Sequence, residues 1–156
     1  MSISAMVRCI DSVPDKDFGR GASDREISDA EHALGVRFPE GYKLFLSRFG
    51  WAEIGPDVFY GLGTDAPAGL TVVKNAFSER YEARPHIPHH LVPIMNDGAG
   101  NNYCLDTSCF RGNECPVVFW DHEHLDGSDQ IPTPTAESFD QWIVDRIGKS
   151  PYSGQA

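Results

Sequence analysis

Residues 91–106 read LVPIMNDGAGNNYCLD, and residues 116–121 follow with PVVFWD. Two runs in the first stretch, Leu91 to Met95 and Asn102 to Asp106, have strand character and flank Asp97-Gly98-Ala99-Gly100, a glycine-rich connection of the kind that closes a hairpin. Gly98 permits a positive φ, and the Asp97 carboxylate can accept from the N–H groups of its own turn. Val117, Val118, Phe119 and Trp120 are apolar at consecutive positions, the pattern of a central strand covered on both faces. Three strands of an antiparallel sheet are expected here.

Upstream, Ser23-Asp24-Arg25-Glu26 has the form of a capping box, in which Ser accepts from a free backbone N–H and Glu reaches back. Ile27, Ala30 and Leu34 follow at helical spacing and Gly35 supplies the stop, which predicts a helix over 24–34. Pro39 suits the first turn of a second helix, whose Tyr42, Phe45, Leu46 and Phe49 form one apolar stripe that ends at Gly50. Trp51 to Ile54 and Val58 to Leu62 read as short strands, and Leu70 to Tyr81 as a third helix ended by Pro85 and Pro88. Residues 122–134 read as an acidic loop. Thr135 is placed to cap a last helix that carries Phe139, Trp142, Ile143 and Ile147 on one face. The whole predicts an α+β domain over 23–148, with a single mainly antiparallel sheet and about four helices. Residues 1–22, with Pro14, Gly19 and Gly21, read as an N-terminal arm holding a short strand at Ser4 to Ile10; residues 149–156 read as a frayed tail.

The net charge of −10 is unevenly placed. Residues 1–94 carry 13 acids against 10 bases. Residues 95–141 carry Asp97, Asp106, Glu114, Asp121, Glu123, Asp126, Asp129, Glu137 and Asp140 against Arg111 alone. Such a segment repels phosphate backbones, so direct nucleic-acid binding is disfavoured, whereas a basic protein is attracted to it. The same charge would equally serve as a solvated surface. No apolar run approaches the roughly 20 residues of a membrane span, and the first ten residues do not have the form of a secretory signal. A cytoplasmic location is expected. Cys9, Cys104, Cys109 and Cys115 include no Cys-x-x-Cys pair, and free structural thiols are expected.

Few patterns carry catalytic chemistry. His86, His89 and His90, and His122 with His124, lack the partners of a familiar zinc site, and Asp121, Glu123 and Asp126 miss the spacing of a calcium loop. Gly98-Ala99-Gly100 lacks the Lys and Ser/Thr that hold a nucleotide phosphate, so it reads as a turn. There is no Gly-x-Ser-x-Gly elbow. A carboxylate pocket of Asp97, Asp106 and Asp121 beside His122 is the one enzymatic arrangement the sequence leaves open, as a small metal-dependent hydrolase. No cofactor is expected.

Taken in order, several segments resemble the SUKH superfamily: Glu31-x-x-Leu34-Gly35-x-x-Phe38-Pro39-x-x-Tyr42-x-x-Phe45-Leu46, then Asn96-Asp97-Gly98-Ala99-Gly100-x-x-Tyr103-Cys104-Leu105-Asp106, then Val117-x-x-Trp120-Asp121-His122-Glu123, then Ser138-Phe139. That superfamily includes bacterial immunity proteins and fungal cell-wall synthesis regulators. Phe49-Gly50-Trp51 departs from the Asn-Gly-Gly-like turn of many relatives, and residues 1–22 find no counterpart. The resemblance implies an α+β fold without catalytic residues. It also implies a protein that neutralises a cognate polymorphic toxin, often a nuclease, by direct contact. A regulatory interaction module without a toxin partner is the alternative. The expected partner-binding residues are Asp97, Asp106, Asp121, Glu123, Asp126 and Asp129. The sequence sets no oligomeric state.

Overall fold

Ser23 begins the element order that the sequence announces most clearly. Its Oγ accepts from the Glu26 N–H at 3.1 Å while the Glu26 carboxylate accepts from the Ser23 N–H at 3.0 Å, closing the capping box. The helix α2 that follows, Asp24–Leu34, buries Ile27, Ala30 and Leu34 and stops at Gly35 with φ of 67°. Pro39 lies just outside α3, Glu40–Arg48, which buries Gly41, Tyr42, Phe45 and Leu46. Rings from Phe38, Tyr42, Phe45 and Phe139 pack with centroids 5.0 to 6.1 Å apart. A computed structural model describes residues 3–124 and 130–148.

Ahead of these helices, the expected arm is a structured part of the fold. Where a strand was expected, Ile3–Ser12 forms a helix, α1, whose Met6 and Ile10 are buried, as is Val13 just after it. This helix packs against the last one, α5, Phe139–Gly148. Lys16–Phe18 then forms β1, antiparallel to β2, Ala52–Ile54, which pairs in turn with β3, Asp57–Phe59. The spacing of Met6 and Ile10 is helical, and burial against α5 decides the conformation.

The second sheet runs β4 (Leu91–Asn96), β5 (Asn102–Asp106), β6 (Val117–Trp120), β7 (Thr133–Ala136), all antiparallel neighbours. The expected single sheet is therefore two, of three and four strands. They abut where the Tyr60 N–H donates to the Ile94 carbonyl at 2.9 Å, the one backbone bond between β3's end and β4 among the described residues. β4 shifts register between Pro93 and Met95, and β3 is three residues long, so the pairing does not propagate. Between them α4, Val72–Tyr81, follows a 3₁₀ turn at Ala68–Leu70.

β7 occupies part of the stretch expected as loop, and Thr135 lies within it, its Oγ donating to the Val117 carbonyl. Ser138 caps α5 instead, accepting from Gln141 N–H at 3.3 Å. β7 is an edge strand with mostly exposed side chains, the position in a sheet that tolerates Pro134. The β5 and β6 side chains divide between two cores. Tyr103 meets Trp142 of α5 with ring centroids 5.5 Å apart, and Leu105 and Val117 join the main core. Cys104, Val118 and Trp120 face the other way, against Ile87 and Leu91.

Candidate partner-binding surface

The β4–β5 hairpin loop is held by its own side chains. Asn96 Oδ1 accepts from Gly98 N–H at 2.8 Å. Asp97 Oδ1 accepts from the N–H groups of Ala99 and Asn101 at 2.8 and 3.1 Å, and its Oδ2 from the Asn101 side-chain amide at 3.0 Å. Burial works to raise the Asp97 pKa, but these bonds, with a smaller contribution from His122, hold its carboxyl below the usual range. The N–H groups of Gly98, Ala99 and Asn101, which a phosphate would use, are thus filled by Asn96 and Asp97. Asp97 shapes the turn.

The loop after β6 is joined to this hairpin. Asn101 Oδ1 lies 3.1 Å from the His122 backbone nitrogen and 2.7 Å from its Nδ1. Gly100, at φ of 98°, lets the His122 ring approach: a Cβ there would stand 2.8 Å from ring atoms. Asp121 Oδ1 accepts from Glu123 N–H at 2.9 Å, and the Gln130 side chain bonds the Asp121 N–H and carbonyl at 2.7 and 2.9 Å. Both ends of the 121–130 segment are therefore fixed to the end of the sheet. Glu123 is exposed, its carboxylate 3.9 Å from His122 Nε2. Asp126 and Asp129 lie outside the described residues.

Asp106 does not share this surface. It ends β5 where Asn102 begins it, about 13 Å away at about 3.3 Å per residue. There its Oδ1 accepts from the N–H and Oγ of Ser108, at 3.1 and 2.6 Å. Asp97, Asp106 and Asp121 consequently do not meet in one pocket beside His122. Among the described residues no three His, Cys, Asp or Glu side chains form a group suited to hold a metal.

Other acids of the segment point inward. Asp140 is 3% exposed. Glu114 Oε2 accepts from Gly41 N–H at 3.1 Å, at the start of α3, and Oε1 is buried without a hydrogen-bond partner among the described residues. Gly41 is fully enclosed by the pair: a Cβ on it would lie 3.3 Å from Asp140 Oδ1 and 3.4 Å from Glu114 Oε1. The sequence places Glu114 and Asp140 in the acidic run, and only the meeting of α3 with α5 separates them from the exposed acids. Glu79 of α4 went unnoticed; burial pushes its carboxyl up, opposed by Asn102 and His122. Cys104 and Cys115 are buried, and burial and neighbouring acids push the Cys115 thiol up to about 12.

A family model described as SMI1 / KNR4 family (SUKH-1) matches residues 21–145, most of the 156-residue chain. The chain belongs to the SMI1 / KNR4 (SUKH-1) family. The SUKH-1 match takes in the hairpin, the His122 brace and most of α5, and leaves α1 and β1 outside it. A crystal structure of a protein from Pseudomonas syringae pv. tomato is similar at 17% identity, covering 92% of this chain and 94% of that one with a TM-score of 0.60. At that identity the likeness shows a shared fold. No described helix of this SUKH-1 chain is long and apolar enough to cross a membrane.

Proposed function

We propose that this SUKH-1 protein is a non-enzymatic, cytoplasmic immunity protein that binds a basic cognate toxin, of nuclease type, through the acidic end of its four-stranded sheet. The observation that carries this reading is the anchored segment 121–130. It holds Asp121, Glu123, Asp126 and Asp129 without a base, and its ends are tied to the sheet through Gln130 and through His122 with Asn101. A toxin that cleaves nucleic acid is basic where it meets phosphate, so an anionic segment competes for that same face and speeds encounter. Within the expected set, Glu123 and Asp121 lead, with Asp126 and Asp129 adding charge by sequence. Asp97 acts indirectly, by shaping the hairpin that braces the segment. Asp106, at the other end of the sheet, belongs to a separate contact or to none.

Co-expression with the protein encoded beside this gene tests the proposal. Growth arrest by that protein, relieved by this one in a stable complex, is the expected result. A neighbour that neither arrests growth nor binds would leave the regulatory-module reading in its place.

A further inference from the structure

Two independent contacts fix which way round the Asn101 amide lies. The His122 backbone N–H donates to its Oδ1 at 3.1 Å, and its Nδ2 donates to Asp97 Oδ2 at 3.0 Å. A backbone N–H only donates and an ionised carboxylate only accepts, so Oδ1 is the atom that faces His122. The ring Nδ1 lies 2.7 Å from that same oxygen. Nδ1 therefore carries the proton, and in the neutral ring the lone pair is left on Nε2.

Among the described residues no group donates to this Nε2, and it is open to a partner. Gly100 covers the face of the ring rather than its rim: a Cβ there would lie almost equally far from Cε1, Nε2 and Cδ2, at 2.8, 2.8 and 3.1 Å. The His122 side chain is 35% exposed, and Glu123 Oε1 stands 3.9 Å from Nε2 on a side chain that is 81% exposed. One nitrogen placed about 2.9 Å from each acceptor spans that gap. Asp97 on the hairpin and Glu79 on α4 interact with the same ring, so carboxylates face it from three elements. Such a setting favours a cationic donor over a neutral one and repels an anion.

We infer that His122 Nε2 and the Glu123 carboxylate form a two-point acceptor for a lysine or arginine side chain of the basic partner. The inference rests on the reading of the acidic end as the partner surface, and it adds a directional contact to that charge. Steering needs only net charge, whereas this contact needs one tautomer of one ring. Asn101 is its positioning residue, because it keeps the ring proton on the far nitrogen. A proton taken up at Nε2 turns the acceptor into a donor and sets a positive charge among Asp97, Glu79 and Glu123. The contact is then lost as pH falls through the range in which histidine changes charge.

The probe is a dye-labelled decalysine peptide, followed by fluorescence polarisation on the full-length protein at low ionic strength. At pH 7.5 His122→Asn should bind it about threefold or more weakly than the parent. Asn keeps an amide for Asn101 Oδ1 but has no acceptor in the place of Nε2. His122→Gln, whose carbonyl reaches about as far out as Nε2, should recover part of that loss. The parent should lose affinity between pH 7.5 and pH 5.5, and both variants should lose less. Ring nitrogen NMR spectra of the free protein should show the form protonated at Nδ1. A ring protonated at Nε2 instead, equal affinities of parent and His122→Asn, or one pH dependence shared by all three proteins would overturn the inference. If Glu123→Lys weakens binding while His122→Asn does not, the inference falls alone and the acidic end keeps its role. A parent protein that does not bind decalysine at all would remove both.

Discussion

Asn101 holds His122 twice: its Oδ1 lies 3.1 Å from the His122 backbone nitrogen and 2.7 Å from the ring Nδ1, so one side chain fixes both the path and the ring of the residue that opens the acidic segment. The same Asn101 donates its amide to Asp97 at 3.0 Å. Hairpin and acidic segment therefore form one polar unit. Asn101→Ala should cost about 1–2 kcal/mol in urea unfolding, since it removes these bonds and leaves partly buried groups unpaired. Asn101→Asp keeps an acceptor for His122 but sets a second carboxylate against Asp97, so it should also be destabilising. A value within error of the parent for both would mean that water serves His122 as well as Asn101 does.

Glu114 makes a pH-dependent prediction. Burial raises its pKa most; the Gly41 N–H works the other way, and Asp140 and Glu40 add to the rise. A carboxyl whose folded pKa lies above its unfolded value holds its proton more tightly in the native state. Its contribution to stability is then best at low pH and declines as pH rises through the folded value. Glu114→Gln keeps an acceptor for Gly41 and removes the buried charge. It should raise the unfolding midpoint near pH 7.5, and by less near pH 4.5. A gain that is equal at both values would show that the charge of Glu114 is not the cause.

The elements that carry local signals were legible, and those made by tertiary contact were not. α2 follows from Ser23, Glu26 and Gly35, and the hairpin from Asp97 and Gly98, because each signal lies within a few residues of its effect. Met6, Val7 and Ile10 suited a strand as well as a helix until α5 covered them. Thr133 to Ala136 lacks the apolar alternation of a strand because β7 is exposed at an edge and borrows its bonds from β6. The candidate site divides on the same line. Closeness in sequence grouped nine acids, whereas β5 carries Asp106 to the far end of the sheet and α5 takes Asp140 inside. That Asp97 and Asp106 flank opposite ends of a five-residue strand could have been read from strand length alone.

Asp57 and Arg146 join β3 to α5 through a fork. Arg146 Nε and Nη2 donate to the two carboxylate oxygens at 2.9 and 3.1 Å, and Asp57 is only 12% exposed in its side chain. Arg146 Nη1 also reaches the Tyr103 hydroxyl at 3.3 Å, drawing in β5. The pair thus crosses from the three-stranded sheet to the helix that packs on the four-stranded one. Asp57→Ala should cost about 3 kcal/mol, because it leaves the Arg146 charge partly buried and unpaired. Arg146→Lys should cost less than Asp57→Ala, since it keeps a charge for Asp57 although a point charge cannot make the fork. Equal stability of Asp57→Ala and the parent in guanidinium unfolding would show that the fork is replaced by solvent at no cost.

Charge reversal along the 121–130 segment separates steering from folding. The Glu123 side chain is 81% exposed and, among the described residues, pairs with His122 alone, at 3.9 Å, so Glu123→Lys should leave stability within about 0.5 kcal/mol of the parent. Combined with Asp126→Lys and Asp129→Lys, it turns an anionic stretch cationic while Asp121 still caps its own turn through Glu123 N–H. Association with a basic toxin should then slow about tenfold or more at low ionic strength, with the difference shrinking as salt screens the field. Dissociation should change less, because charges at the rim act mainly on encounter. Stopped-flow mixing at two salt concentrations measures both. An association rate indifferent to the three reversals at low salt would place the toxin's contact elsewhere on the molecule, and the anionic segment would then be a solvated surface.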